Sequence, residues 1–307
     1  MKVFYHIDND GKCAAFWVRE LAKHTDDYDI TYHSINYGMD FPFDDINKNE
    51  QVFIVDYSIL PEEMDRLLNI TNDVVWIDHH QSAIKKYEGY DKEIKGVRYD
   101  GVAGCMLTYC YLKHMNPAVL PWGMNERKPI PFNISMTNDA PMFTKLIADY
   151  DVWTFEYGEA SKQFALGLEM EDNDPESELW YGLLYTGEYG KPLERIKEYG
   201  KVIIEYKRFW SENYCKHKGF EVEFEGYKCF ALNLAMVSSD DFESVNDKYD
   251  MMIGFSYDGV TWTYSLRSTK VNCADIAMKY GGGGHAGAAG FSSKELLLVP
   301  QNQDRIN

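Results

Sequence analysis

The chain has 307 residues, 45% of them hydrophobic, with 49 acidic against 31 basic side chains and a net charge of −18. That length supports a real core and is long for a single one, so two domains are expected, and the acidic balance is the opposite of the footprint needed to grip a long DNA duplex. Six cysteines without a CxxC pair argue against structural zinc and fit a reducing, cytoplasmic compartment, while no apolar stretch approaches the roughly 18–20 residues of a membrane helix and charge follows too soon after Met1 for a secretory leader.

In chain order, Lys2-Val3-Phe4-Tyr5-His6-Ile7 reads as a strand running into Asp8-Asn9-Asp10-Gly11. From Lys12 to His24 the apolar stripe of Ala14, Ala15, Trp17, Val18, Leu21 and Ala22 predicts a helix, with Asp10 available as its N-cap. A second strand is expected over Ile30 to Ile35, followed by an acidic loop. Gln51 to Val55 is a third, ending in Asp56-Tyr57-Ser58, and Pro61-Glu62-Glu63 opens a helix to about Leu68. The fourth, Val74-Val75-Trp76-Ile77, ends abruptly in Asp78-His79-His80.

Strands alternating with helices at these intervals predict a parallel, doubly wound α/β sheet, whose strand carboxyl ends are where ligands bind. Asp and Asn commonly follow strands as caps, and any one of these ends is explained that way. Three such ends bring together the imidazoles of His6, His79 and His80 with the carboxylates of Asp8, Asp10, Asp56 and Asp78. A cap needs one oxygen, whereas so many like charges in one place need cations.

Further on, Gly101-Val102-Ala103-Gly104-Cys105 opens an apolar helix to about His114, a start that could face a phosphate but more often is a packing turn. Residues 116–135 read as a proline-rich loop. Phe143 to Trp153 is a fourth apolar run with an acidic end, offering Asp149 or Asp151 according to whether it ends as helix or strand. Leu193 to Tyr214 predicts a long connecting helix. Beyond it, period-two strands at Phe220–Phe224 and Tyr227–Leu234 flank a Glu225-Gly226 turn, and a second hairpin is expected around Asp258-Gly259. A short helix from Cys273 to Tyr280 then leads into Gly281-Gly282-Gly283-Gly284-His285, whose glycine amides beside an imidazole suit an anion better than a flexible linker would. Domains are thus expected at 1–190 and 215–307, joined by a helical linker at 191–214.

Together, His6-x-Asp8-x-Asp10-Gly11, Asp56, Asp78-His79-His80, Asp149 in Ile-Ala-Asp, and Gly282-Gly283-Gly284-His285-x-x-Ala288-Ala289-Gly290-Phe291 resemble the DHH phosphoesterase superfamily with its DHH-associated C-terminal domain. That superfamily includes nanoRNases, dinucleotide phosphodiesterases and RecJ-type exonucleases, and the short His6-x-Asp8 spacing resembles the nanoRNase branch. The resemblance implies two Mn²⁺ ions, with Mg²⁺ as a substitute: His6 and Asp8 on one, Asp10, His79 and Asp149 on the other, and Asp56 bridging. A ligand set without thiolate independently favours such ions. Asp78 and His80 are the expected catalytic pair, Asp78 receiving an imidazole N–H and His80 placed either behind the ligands or facing the scissile phosphate. Arg267, Gly282, Gly283, Gly284 and His285 are the expected phosphate grip.

Two cations about 3.5–4 Å apart activate water and offset charge on the phosphoryl oxygens. The expected function is therefore hydrolysis of short oligoribonucleotides or linear dinucleotides to mononucleotides. The alternatives are a phosphatase of 3′-phosphoadenosine 5′-phosphate, a cyclic-dinucleotide phosphodiesterase and, more distantly, a non-catalytic nucleotide-binding protein. A family II inorganic pyrophosphatase fits less well, because the glycine-flanked His285 stands where a basic cluster is expected. The pattern leaves a homodimer open.

Overall fold

A computed structural model describes residues 1–23, 29–115, 131–284 and 286–298. The chain divides into two compact units, Met1–Val202 and Ile203–Asn307.

In the first unit, strands β1 (Lys2–His6), β2 (Thr31–Ile35), β3 (Val52–Val55) and β4 (Val74–Ile77) form a parallel sheet in the order β2-β1-β3-β4. Helix α1 (Asn9–Ala22) connects β1 to β2, and α2 (Pro61–Ile70) connects β3 to β4. After β4 come α3 (Gln81–Lys86), α4 (Gly104–Cys110), α5 (Met142–Asp151), α6 (Glu159–Leu168), α7 (Leu179–Thr186) and α8 (Lys191–Lys218).

β1, β3 and β4 read as apolar runs because both faces of the sheet are covered there. Val3, Tyr5, Phe53, Val55, Val75 and Ile77 pack on one side with residues of α1, α4 and α5. Phe4, Val52, Ile54, Val74 and Trp76 face the other side, against Met64 and Leu67 of α2. The strand order reverses direction between β1 and β3, so the crevice for a ligand opens at their carboxyl ends. His6 closes β1, and Asp56 directly follows β3.

Two expectations are refined. The Phe143 to Trp153 run is a helix, α5, with its apolar stripe buried at Phe143, Leu146 and Ile147. The helix expected to reach His114 stops at Cys110 and continues as one wider π-type turn, Tyr111–Met115. Most of the 116–135 loop lies outside the described residues; Ile134–Thr137 is a single 3₁₀ turn. The division between units falls inside α8.

The second unit holds β5 (Phe220–Phe224), β6 (Tyr227–Asn233), β7 (Met251–Tyr257), β8 (Trp262–Arg267), α9 (Cys273–Lys279), β9 (Gly283–Gly284) and β10 (Ala288–Ser293). The sheet order is β5-β6-β7-β8-β10-β9, antiparallel throughout except for the parallel β6–β7 pair. Both predicted hairpins form. Glu225 and Gly226 take φ of 52° and 80°, the two positive values that a tight hairpin turn demands. Among the described residues no helix is long and apolar enough to cross a membrane.

Candidate metal centre

At the end of β1 the chain turns so that Asp8 caps α1, its Oδ1 accepting from Gly11 N at 2.9 Å. The predicted cap, Asp10, lies instead in the first helical turn and is buried. Both of its oxygens are held from across the fold, by Gly104 N at 2.6 Å and Cys105 N at 2.8 Å. The glycine-rich start of α4 therefore spends its amides on a carboxylate of this chain, not on a phosphate. Position 104 has no room for a side chain: a Cβ there would lie 2.6 Å from Asp56 Cβ and 3.0 Å from Asp10 Oδ2.

Asp56 follows β3 in a left-handed conformation, φ 53°, that a non-glycine residue adopts only when its surroundings impose it. It is 1% exposed. Around it the predicted residues fall into two halves. His6 Nδ1 lies 2.6 Å from Asp8 Oδ2 and 3.7 Å from Asp56 Oδ2. His79 Nε2 lies 3.2 Å from Asp56 Oδ1, 3.4 Å from Asp151 Oδ2 and 3.7 Å from Asp10 Oδ2. Asp56 thus turns one oxygen to each half.

Two aspartates at the end of α5 have opposite surroundings. The residues left Asp149 and Asp151 open and the resemblance implied Asp149; in the structure it is Asp151 that lies with Asp10 and His79. Asp149 faces the loop that follows α5, where its carboxylate accepts from Thr154 Oγ1 at 2.6 Å, Glu156 N at 2.7 Å and Tyr157 N at 3.1 Å, and it also accepts from Ser161 Oγ of α6. That loop carries Trp153 and Phe155 at φ 57° and 50°, and the carboxylate holds it in shape. Asp151, two residues on, is rotated about 200° around the helix and lies beside His79.

Asp78, expected in the catalytic pair as the acceptor of an imidazole N–H, is fully buried. Its Oδ1 accepts from His79 N, His80 N and His80 Nδ1 at 2.8, 3.3 and 2.7 Å, and its Oδ2 from Ser58 Oγ. With both oxygens enclosed it cannot reach a substrate, so it is a positioning residue that fixes the His80 ring. His80 itself joins Asp56 and His79 at the cluster.

The charges explain one another. Burial acts against the His6 imidazolium, yet the carboxylates of Asp56 and Asp8 beside it win, and its pKa is pushed up to about 10. His79 is raised despite burial by Asp10, Asp151 and Asp78. Burial, reinforced by Asp10, pushes both Asp56 and Asp151 well above the usual carboxylate range. Asp8 is held low against its burial by His6, and Asp78 by His80.

These residues fit divalent cations. Asp56 Oδ1, Asp56 Oδ2 and Asp151 Oδ2 are buried with no hydrogen-bond partner among the described residues. Native interiors rarely leave such acceptors unsatisfied. His6, Asp8 and Asp56 form one candidate ligand group; Asp10, His79 and Asp151 form another. Oxygen and imidazole donors without thiolate suit Mn²⁺ or Mg²⁺.

The predicted phosphate grip is assembled differently from expectation. Gly282 N donates to Ala277 O at 2.9 Å and so is not free for an anion. A Cβ at Gly282 would overlap Gly290 O and Phe291 Cβ, so this glycine is there for close packing. Gly283 and Gly284 pair with Gly290 and Ala289 of β10. Arg267 gives Nη1 to Leu266 O and Nη2 to Val237 O, both at 2.8 Å. His285 lies outside the described residues. Sequence reasoning also missed Asn36 and Ser58, which hold His6 and Asp78. Ser58 stood two residues beyond a named motif residue, whereas Asn36 carried no such signal.

No protein-family model matches the sequence. A protein of Acanthamoeba polyphaga mimivirus, itself uncharacterized, is 23% identical over 274 residues; the match takes in 84% of this chain and 56% of the viral protein, so the chain spans about half the length of that relative. Among solved structures, the DHH domain of a member of the S1p family of ribosomal proteins superposes with a TM-score of 0.57 at 13% identity, covering 94% of this chain and 81% of that one. The pGpG-specific phosphodiesterase PggH of Vibrio cholerae gives 0.51 at 12% identity, covering 95% and 93%. RecJ of Thermus thermophilus in complex with Mn²⁺ gives 0.51 at 14% identity, covering 95% of this chain and 49% of that one. The chain therefore shares its fold with these three proteins, one of them a DHH domain.

Proposed function

We propose that the chain is a metal-dependent phosphodiesterase that hydrolyses short oligoribonucleotides or linear dinucleotides such as pGpG to mononucleotides. One observation carries this reading: Asp56, buried and strained, turns an unsatisfied oxygen to each of two carboxylate–imidazole groups. Such a carboxylate is suited to bridge two cations. His6 and Asp8 would hold one, Asp10, His79 and Asp151 the other, with Mn²⁺ the expected ion. When bound, the pair supplies an activated water near neutral pH and offsets the charge developing on the phosphoryl group.

The chain's own residues do the rest. Gly104 and Cys105 amides fix Asp10 in place, and Asn36 fixes the His6 ring from its other nitrogen, Nε2, at 3.3 Å. Asp78 holds His80 through Nδ1, which leaves Nε2 as the nitrogen able to meet a phosphoryl oxygen. In the second unit the expected phosphate grip keeps Gly283 as its open position. Gly283 is open to solvent, with nothing near its absent Cβ.

Support for a dinucleotide substrate comes from the fold shared with the Vibrio pGpG phosphodiesterase and from the net charge of −18, which disfavours a long polyanion. The test is turnover with Mn²⁺ on 5′-phosphorylated RNAs from dinucleotides upward, beside cyclic dinucleotides and 3′-phosphoadenosine 5′-phosphate. Dinucleotides should be cleaved fastest, and Asp56→Ala should abolish turnover while the fold survives. Full activity in that variant would refute the bridging role, and preference for phosphoadenosine phosphate would replace the substrate.

A further inference from the structure

β2 is the strand of the first sheet whose carboxyl end bears no acid, yet it also reaches the site. After Ile35 the chain makes a tight turn, closed by Met39 N to Asn36 O at 3.1 Å, with Gly38 at φ 91°. A positive φ at the third residue is the condition of a type II turn, and glycine meets it without strain. The second residue of the turn is Tyr37. Asn36 Oδ1 accepts from Tyr37 N at 2.8 Å and lies 3.3 Å from His6 Nε2, so the turn and the first ligand group are tied together by one side chain.

The Tyr37 ring is built into the centre. Its centroid is 4.9 Å from that of Tyr57, the residue after Asp56, at an interplanar angle of 33°. It is 5.7 Å from His6 and 5.7 Å from His80, the latter edge-on at 75°. Tyr57 is buried beneath it, while Tyr37 remains 51% exposed. A large aromatic residue held on three sides by motif residues, and open on the fourth, is placed for contact with whatever enters.

Its phenol lies within electrostatic reach of Asp78, Asp56 and Asp8. Among the described residues it makes no hydrogen bond. A buried acceptor that the fold leaves unspent needs a partner from outside, and an exposed donor that the fold leaves unspent can exchange its water for a ligand. Here the carboxylates await cations, and the phenol is a donor awaiting an acceptor.

Resting on the phosphodiesterase reading above, we infer that Tyr37 is a substrate-contacting residue whose hydroxyl donates a hydrogen bond to a phosphoryl oxygen brought in by the substrate. A phenol keeps its proton to about pH 10, so it serves as a neutral donor at any working pH. The contact is to phosphate, not base, and its contribution is the same for every nucleotide. A donor that meets the phosphoryl oxygen both in the bound state and during reaction acts on binding and on kcat/KM together.

Tyr37→Phe removes the hydroxyl and keeps the ring packing; Tyr37→Ala removes both. In Tyr37→Phe, kcat/KM on dinucleotides should fall about 10- to 100-fold, equally for purine and pyrimidine substrates. Mn²⁺ affinity by calorimetry and the melting temperature should match the unaltered protein. A second readout does not need turnover: inorganic phosphate and AMP should bind the Mn²⁺-loaded Tyr37→Phe protein about tenfold more weakly than the unaltered one. Unchanged phosphate binding and turnover in Tyr37→Phe would overturn the inference. So would a loss confined to Tyr37→Ala that varies with the base, since the ring would then be a stacking platform. If the unaltered protein cleaves no diester, the function proposed above fails, while the phosphate-binding comparison still decides the role of Tyr37.

Discussion

Two polar segments looked alike as candidate anion or metal sites, and the structure treats them differently. At the carboxyl edge of the first sheet, the fold leaves three buried carboxylate oxygens without a hydrogen-bond partner among the described residues and strains Asp56 into a left-handed conformation. In the glycine-rich segment of the second unit, Gly282 N is bonded to Ala277 O and β9 is paired to β10. The first region is incomplete as protein alone, whereas the described part of the second is largely satisfied. What distinguishes a site is therefore not its residue types but the hydrogen-bonding capacity left over after folding. Asp149 and Asp151 repeat the contrast within one helix turn.

The sharpest test of that contrast pairs these two aspartates. Asp151→Asn should cut Mn²⁺-dependent turnover by more than the roughly 10- to 100-fold typical of losing an outer partner, and should weaken Mn²⁺ binding, while leaving the melting temperature of the metal-free protein equal or higher. Asp149→Asn should lower stability by about 2–3 kcal/mol, because donors arranged for a carboxylate meet an amide instead. If the two variants exchanged these phenotypes in calorimetry and thermal melts, Asp149 would be returned to the ligand set.

The charge balance gives an effect of about tenfold in Mn²⁺ affinity per pH unit for each proton displaced. His6 is protonated in the metal-free protein up to about pH 10, and Asp56 and Asp151 are raised as well. Cations must displace those protons, so affinity rises with pH. Metal-free stability moves the other way. Groups raised in the folded state contribute stability that is complete below their unfolded values and lost as the pH climbs through their folded ones. For His6 that window runs from 6.5 to about 10. Melting of the metal-free protein should therefore fall across this window, and saturating Mn²⁺ should remove the decline. A flat metal-free profile would mean that these groups do not face one another.

The smallest effect concerns the glycines. Gly282→Ala should cost about 1–3 kcal/mol from overlap with Gly290 and Phe291, whereas Gly283→Ala, with open space around it, should stay within about 0.5 kcal/mol. Equal costs at the two positions would show that close packing does not explain position 282.

Much of this was legible beforehand. The apolar runs ending at His6, Asp56 and Asp78 and the Glu225-Gly226 turn carry local signals, a strand period or a turn chemistry, that survive in any context. Asn36 and Tyr37 carry none. They follow a strand in which only Ile35 is buried, and only the pairing of β2 beside β1 brings them to His6.

The amino-acid sequence by itself determined the alternation of strands and helices, and hence that His6, Asp8, Asp10, Asp56 and His79 share one edge, because parallel strands all end on the same side of a sheet. Tertiary structure decided which carboxylates remain unspent. The rotation of α5 sends Asp149 to its loop and Asp151 to His79, and the docking of α4 commits its amides to Asp10. Those outcomes depend on partners far away in the chain, and a hydrogen bond formed at long range leaves no trace in the residues nearby.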